Sequence, residues 1–377
     1  MNRRLGPEET KYWLLGLGRP FNIVLALGVE GWRTPLGLAL PLAAAGADGL
    51  PRWTAPNGDG LILAQRGPWI EVAEAALAQP LGRAGTAPWQ LSVVEEGGGT
   101  VLLLAFSHAL ADARGGLALL ARLLKGQPLP PQPPAFEELL PPEAYPEPAM
   151  ADEVLAWWSR RLSDRLRSLD PVRLAGLLPR PPATRLQLSV LEAPLFHLLR
   201  QRCRQEATTL HGAVVTALVE AGTYSRLGHA VDMRRFLPAP FAAEAWFGLS
   251  HLTTTAPEPG QFWARARHAR ALLQQGLAAG LAGAALAELP RTLGAAAVRA
   301  ISAPPLTVSN NGRMPLPAGP HGRASWFMAL AGANAGAPVL TVDGSGEALM
   351  LAAAVPENGP SLPLEEIAGR LASAVSA

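Results

Sequence analysis

The chain has 377 residues, of which 49% are hydrophobic and 16% charged, a composition that supports a large buried core and excludes a disordered protein. Its formal net charge of +2 comes from scattered arginines, because Lys11 and Lys125 are the only lysines, and this argues against a nucleic-acid partner. A single cysteine, Cys203, excludes an internal disulfide and a four-cysteine zinc site, so we expect a reducing cytoplasmic setting and no bound metal.

Two segments bear on export and membrane insertion. The residues Met1–Glu9 are polar where a signal peptide needs an apolar run. The apolar segment 276–300 is interrupted by Glu288 and Pro290 before it reaches the roughly 20 residues of a membrane span. We therefore expect no export and no integral membrane segment, and we interpret 276–300 as a buried helix.

Strand patterns dominate the first half of the chain. The run Phe21–Glu30 is short and apolar, which predicts a buried strand. Trp89–Glu95 and Thr100–Ser107 are two further strand patterns joined by glycines, as in a β-hairpin. The second of these runs is apolar almost throughout, so both its faces should be buried, and its end should carry Ser107 and His108 into the interior.

A helix and a linker follow the hairpin. Asp112 is a favourable N-cap for the leucine-rich, amphipathic segment 113–124. The segment 126–148 is dense in proline, which is typical of a semi-rigid connection between domains. We therefore predict two domains, residues 1–145 and 146–377.

The second half alternates strands and helices in the same manner, and the whole chain is therefore predicted to be an α/β protein. We predict helices at 150–169, with Trp157 and Trp158 as packing residues, at 194–205 and 208–219, and from Pro363 onward. Strands are predicted at 185–191, 229–235, 246–254, 305–309, 325–330, 339–342 and 348–354.

The spacing His-x-x-x-Asp occurs at the predicted strand-to-helix turn as His108 and Asp112. It resembles the His-His-x-x-x-Asp-Gly signature of nonribosomal peptide synthetase condensation domains, shared with polyketide-associated acyltransferases, wax ester synthases and chloramphenicol acetyltransferase. Ser107 stands at the first histidine of that signature and Ala113 at its glycine. Further segments resemble these families in the same order along the chain, namely Pro88-Trp89, Thr209–Val214, Val231–Arg234 and Leu306–Arg313.

The resemblance implies two chloramphenicol-acetyltransferase-like halves, each a mixed sheet with helices, in a V-shaped pseudo-dimer around a central channel. It implies that His108 is the general base, and a histidine suits this role because its ordinary pKa lies near neutral pH. It also implies that Asp112 is structural and pairs with Arg234, since an unpaired buried charge is strongly unfavourable.

Candidate substrate-binding residues lie on both halves. The N-terminus of helix 113–124 could supply backbone N–H donors near Ala113 to Gly115 to a developing oxyanion. Ser309 and Asn310 are either side-chain donors to substrate or a turn pair that closes a strand. Ser107 is a further candidate because of its place beside the base. His211 is either a satisfied buried residue or part of an acceptor channel.

The implied activity is transfer of an acyl group from acyl-CoA or a phosphopantetheinyl acyl carrier protein to a small-molecule hydroxyl or amine, as in lipid or secondary-metabolite synthesis. The donor is a substrate, and no bound cofactor is expected. No phosphate-binding loop, nucleophile elbow or zinc-protease helix motif is present. Two alternatives stay open: a non-catalytic condensation-like domain that binds a carrier protein or other partner, and a cyclisation or elimination that uses the same base.

Overall fold

The computed structural model describes residues 3–18, 20–33, 39–40, 43–45, 51–53, 58–82, 86–87, 89–128, 132–154, 183–292, 306–333 and 337–376. Its helices are α1 Pro7–Gly18, α2 Trp69–Leu77, α3 Ala113–Leu124, α4 Ala193–Gln205, α5 Leu210–Ala221, α6 Ala239–Glu244, α7 Phe262–Ala278, α8 Leu281–Thr292 and α9 Leu364–Ser376. The strands of the first half are β1 Asn22–Glu30, β2 Ala39–Leu40, β3 Ala43–Ala45, β4 Pro51–Trp53, β5 Gly58–Asp59, β6 Leu61–Gln65, β7 Trp89–Glu96 and β8 Gly99–Ser107. Those of the second half are β9 Thr184–Leu191, β10 Arg226–Asp232, β11 Leu249–Thr255, β12 Thr307–Met314, β13 Ala318–Gly319, β14 Gly322–Ala331, β15 Val339–Ser345 and β16 Ala348–Pro356.

The first lobe is built on a six-stranded sheet in the order β13-β14-β1-β8-β7-β6. The predicted hairpin is confirmed as β7 and β8, which pair antiparallel around Gly97 and Gly98. Both glycines have positive φ, 62° and 81°, as a tight two-residue hairpin turn requires. Strand β8 is buried from Val101 to Phe106, as its uninterrupted apolar run predicts.

The second lobe is built on another six-stranded sheet in the order β11-β10-β12-β15-β16-β9. It is mixed, since β10–β12 and β12–β15 are parallel pairs and the others are antiparallel. Helices α4, α5, α7 and α9 pack together on it around buried leucines, valines and alanines. Two lobes of mixed sheet with helices confirm the predicted fold class.

Two strands from the second half of the chain, the antiparallel pair β13 and β14, belong to the sheet of the first lobe. Strand β14 follows β12 in the chain, yet it pairs antiparallel with β1 over Ile23–Glu30. The sheet of the first lobe therefore contains residues 318–331 and is not confined to residues 1–145. The predicted division at 145/146 does not separate the two sheets.

Side chains of β15 attach strand β14 to the second lobe. The backbone N–H of Ala329 donates to Asp343 Oδ2 at 3.0 Å, and that of Phe327 donates to Ser345 Oγ at 2.5 Å. Asn311 Nδ2 donates to the other oxygen of Asp343 at 2.8 Å. Burial raises the pKa of Asp343 to about 7, although these donors act in the opposite direction.

A buried ion pair also joins the lobes. Asp112 at the start of α3 accepts from Arg234 Nη1 at 2.8 Å and from Arg234 Nη2 at 2.9 Å. The same carboxylate accepts from the backbone N–H groups of Gly115 and Gly248, each at 2.9 Å. Arg234 further donates to the carbonyl of Ala245 at 2.9 Å. Three donors, two from Arg234 and one from Gly248, therefore hold a carboxylate of the first lobe against the second lobe, while the Gly115 N–H caps α3.

The predicted elements differ from the structure at a few places. The segment 276–300 is not one helix: α7 ends at Ala278, Gly280 takes φ 67° where a helix commonly terminates, and α8 starts at Leu281. The strand predicted at 229–235 ends at Asp232, whose side chain accepts from the Arg234 N–H and caps a 3-10 turn. Most of the helix predicted at 150–169, with Trp157 and Trp158, lies outside the described residues.

In the part of the chain that is described, no helix combines the length and the hydropathy that a membrane crossing needs.

Replacing Asp343 with Asn is expected to change the pH dependence of stability. A carboxyl whose pKa is raised on folding contributes stability below about pH 4, and this is lost as pH rises through about 7. Between pH 5 and pH 8 the free energy of unfolding of the wild type should therefore fall by about 3 kcal/mol relative to that of D343N, measured by urea unfolding. S345A, which removes a non-titrating acceptor from β14, should keep the wild-type pH dependence. A D343N difference that is equal at both pH values would contradict the assignment.

Arg234→Met should destabilise the protein by about 3–5 kcal/mol in urea unfolding at pH 7, because it leaves the Asp112 charge buried without a partner. The double variant D112N/R234M should be less destabilised than the sum of its single variants, since both charges are then absent. R235M is the matched control, since Arg235 is exposed and packs on Phe236, and it should stay within about 0.5 kcal/mol of the wild type. An R234M effect as small as that of R235M would contradict the role of the pair.

Candidate active site

His108 lies just beyond the end of β8, where the chain turns toward α3. Its backbone N–H donates to the carbonyl of Phe21 at 2.8 Å, which ties the turn to the start of β1. Its Nδ1 lies 3.1 Å from the carbonyl oxygen of Ala111. A carbonyl only accepts, so Nδ1 carries the ring proton and Nε2 presents a lone pair. Nε2 has no hydrogen bond to any described group.

Aromatic rings surround the imidazole. Tyr12 of α1 stacks on it with ring centroids 4.0 Å apart and planes at 24°. The rings of Phe21 and Phe247 lie 5.9 and 5.6 Å from it. This burial lowers the pKa of His108 to about 4, so the ring is neutral at physiological pH.

Helix α1 is held in place by buried carboxylates. Glu137 Oε1 accepts from the backbone N–H of Glu8 at 2.8 Å, which satisfies one of the open donors at the start of α1. Glu9 accepts from Arg3 Nη2 at 2.6 Å and from Arg3 Nη1 at 2.8 Å. Burial and the neighbouring Glu9 raise the pKa of Glu137 well above its usual range. These contacts fix the helix that places Tyr12 over His108.

Asp112 lies on the wall of the same cavity as His108, but its oxygens are engaged by protein groups. Its two oxygens are occupied by Arg234, Gly115 and Gly248, as described above, and these donors hold its pKa below the ordinary value despite burial. Its own backbone N–H donates to the carbonyl of Trp246 at 3.1 Å. Asp112 therefore shapes the turn that carries His108, and Arg234 lies in the place expected for its partner.

A cavity of about 110 Å³ lies between the lobes, with His108 on its wall. A single water needs roughly 10–15 Å³ by this kind of measure, so the space holds several waters or a small acyl group. Apolar residues from both sheets line much of it, including Ile23, Ala329 and Val339. Among the described residues, no three His, Cys, Asp or Glu side chains come together as metal ligands.

Two of the candidate substrate-binding residues line this cavity, Ser309 and Asn310 of β12. Asn310 Oδ1 accepts from the backbone N–H of Gly312 at 2.9 Å, at the register shift between these two residues within β12. Ser309 is half-buried.

The other two candidates lie outside the cavity wall. The Gly115 N–H is already bound to Asp112, and a side chain there would collide with the carbonyl of Trp246. Gly115 is therefore a close-packing position, and the expectation that its N–H binds an oxyanion is wrong. Ser107 is half-buried, and its Oγ accepts a long bond from the Ala109 N–H at 3.4 Å.

His211 is not part of this cavity wall. Its Nε2 lies 2.9 Å from Nδ1 of His229, whose Nε2 lies 2.8 Å from Thr254 Oγ1. His211 is thus a half-buried residue with a partner, and it also lines a second cavity that shares Ala230 and Asn310 with the first, so its position agrees with both interpretations.

The cavity also contains a residue that the sequence analysis missed. His251 of β11 lines it together with His108. No motif marks this histidine, and the one available signal is the alternation of β11, which puts Leu249 and His251 on the same face of the strand.

Comparison with known proteins shows no matching family model and no match in sequence among curated proteins. Solved structures do match. Polyketide synthase associated protein 5 from Mycobacterium tuberculosis is 16% identical, with a TM-score of 0.66 over 100% of this chain and 98% of that chain. The first condensation domain of the calcium-dependent antibiotic synthetase, in complex with a substrate analogue, is 16% identical, with a TM-score of 0.70 over 100% and 97%. Trichothecene 15-O-acetyltransferase from Fusarium sporotrichioides is 11% identical, with a TM-score of 0.67 over 99% and 95%. The chain therefore has the two-lobed fold of these three structures.

Proposed function

We propose that the protein is an acyltransferase in which His108 acts as the general base. The observation that carries this proposal is the state of the imidazole: Nδ1 is held by the Ala111 carbonyl, while Nε2 is unbonded and the ring lines a cavity between the lobes. A neutral imidazole with its lone pair directed into a cavity can remove a proton from a bound hydroxyl or amine.

The reaction proceeds without a covalent enzyme intermediate. Nε2 of His108 accepts the proton of the acceptor as its oxygen or nitrogen forms a bond to the thioester carbonyl carbon. The resulting tetrahedral intermediate then breaks its carbon–sulfur bond. The proton on His108 goes to the departing thiolate, which restores the neutral ring and yields a free thiol and an ester or amide.

The proposed donor is a CoA or carrier-protein thioester, and the acceptor is a small molecule. The similar structures include a polyketide-synthase-associated protein, a peptide-synthetase condensation domain and an acetyltransferase, which supports this class of substrates. The apolar part of the cavity wall fits an acyl chain, and Ser309 and Asn310 are proposed to bind polar substrate atoms.

The departures from the family signature are compatible with this chemistry. Ala113 is the first residue of α3 and does not have a positive φ, since among the described non-glycine residues only Ala207 does. The turn therefore does not need a glycine at position 113. Because Ser107 stands at the first histidine of the signature, the protein lacks that imidazole, which the proposed proton transfer does not use. The proton-accepting ring and the Asp112–Arg234 pair are both present.

His108→Ala should abolish measurable transfer, with a loss of at least about 10²–10⁴-fold in kcat, the usual contribution of a general base. The assay follows free thiol released from octanoyl-CoA, and from the octanoyl N-acetylcysteamine thioester, with alcohols and amines as acceptors, and it identifies products by mass spectrometry. Circular dichroism and thermal unfolding should show the fold retained. His197→Ala, at an exposed histidine on α4, is the control and should keep full activity. A folded H108A that transfers at the wild-type rate would favour the non-catalytic alternative.

The pH profile should report the lowered pKa of the base. With an alcohol acceptor, kcat/KM should stay level between pH 6 and 8 and fall as pH drops through about 4, because protonation of Nε2 removes the base. Rates are measured after a rapid pH jump, so that slow acid unfolding does not contribute. An acid limb centred near 6.5 would contradict a base in this buried setting.

A further inference from the structure

The cavity contains a second imidazole, and the strand register fixes where it points. His251 lies opposite Ala230 in the β10–β11 pair, and both residues line the cavity. Its neighbour Ser250 faces the other side of the strand, where its Oγ donates to the carbonyl of Ala282 at 2.7 Å. Thus β11 directs His251 toward the cavity from the second lobe, while His108 reaches the same cavity from the first.

The His251 ring has no hydrogen bond to any described residue, and the residue is half-buried on the cavity wall. Ring nitrogens in such a position can bind water or a polar group of a ligand. Two of the charged groups on the same wall, Asp112 and Arg234, are bound to each other. The free nitrogens of His251 are therefore open to a polar atom of whatever occupies the cavity.

The charges near His251 keep it neutral. Burial lowers its pKa well below the ordinary value, and Lys11 and His108 act in the same direction. Two acidic groups line the same cavity, and both are ion-paired: Asp112 with Arg234, and Asp232 with Arg114 and Arg234. A neutral imidazole has one N–H donor and one lone pair. His251 is therefore suited to donate a hydrogen bond and unsuited to take up a second proton.

Acyl transfer needs a donor of this kind. Negative charge develops on the acyl oxygen while His108 takes up the acceptor's proton, and a preorganised N–H directed at that oxygen stabilises the transition state. The backbone N–H of Gly115 is bound to Asp112 and does not serve this purpose. Protonation of His108 also lowers the basicity of His251 further, so the proton stays on His108 for delivery to the thiolate.

We propose that His251 is a catalytic residue whose ring N–H binds the acyl oxygen of the thioester from the second lobe, opposite the base. This role rests on the proposed function, because it assigns the oxyanion donor of that reaction. It goes beyond the family signature, which contains no residue of β11.

The test compares two substitutions of similar size. His251→Leu removes the donor, and His251→Gln retains an N–H donor that cannot act as a base. With octanoyl-CoA, or the octanoyl N-acetylcysteamine thioester, kcat of H251L should fall about 10²–10³-fold, the usual effect of losing one oxyanion donor, with KM changed less than about threefold. H251Q should recover to within about tenfold of the wild type. His197→Gln is the control at an exposed position and should have no effect.

A second measurement is independent of turnover. S-acetonyl-CoA carries a ketone beside its sulfur and cannot transfer an acyl group. Its ¹³C-labelled carbonyl stretch should shift to lower frequency in the wild type, in H108A and in H251Q, and should lose that shift in H251L. Thermal unfolding checks that all variants are folded.

The outcomes separate the two proposals. An active wild type whose H251L variant keeps kcat within threefold, or whose H251Q variant is as impaired as H251L, overturns the role of His251 and leaves His108 as the base. A wild type that transfers no acyl group from either thioester overturns the proposed function and this role together. Loss of kcat and of the carbonyl shift in H251L, with recovery of both in H251Q, supports the role.

Discussion

The buried pair of Asp112 and Arg234 is the contact on which the geometry of the cavity depends. One carboxylate ends the turn that carries His108, caps α3 through Gly115 and binds the second lobe through Arg234 and Gly248. Burying two charges is unfavourable, so such a pair contributes little net stability, but each charge requires the other. The pair therefore sets the relative position of the two lobes, and with it the distance between the imidazoles that face each other across the cavity.

The surroundings of His108 fix the orientation of its ring and also make the ring a weaker base. The stacked Tyr12 and the Ala111 carbonyl hold the ring in one orientation and one tautomer, while their exclusion of water lowers its pKa. A weaker base that is always unprotonated and always aligned can still act, because orientation replaces part of the driving force for proton transfer. Glu137 belongs to this arrangement because it binds the N-terminus of α1, the helix that carries Tyr12.

Local patterns account for what could be predicted from the sequence. The hairpin follows from its glycines, β8 from its apolar run, and the start of α3 from its aspartate cap, since each depends on neighbours in the chain. The pairing of Asp112 with Arg234 is implied by the resemblance of the sequence to condensation domains. The packing of Tyr12 on His108, the crossing of β14 and the position of His251 depend on contacts between distant segments. No short pattern marks such contacts, and a histidine inside a strand carries no sign of the face it will occupy.

The crossing of β14 has a consequence for biosynthesis. When β1, β7 and β8 leave the ribosome, β1 has an open edge that only the much later residues of β14 can close. An unpaired, mostly apolar edge strand invites association with other nascent chains until the late segment emerges. A cut in the proline-rich connection would leave the first fragment without β13 and β14, two strands of its own sheet.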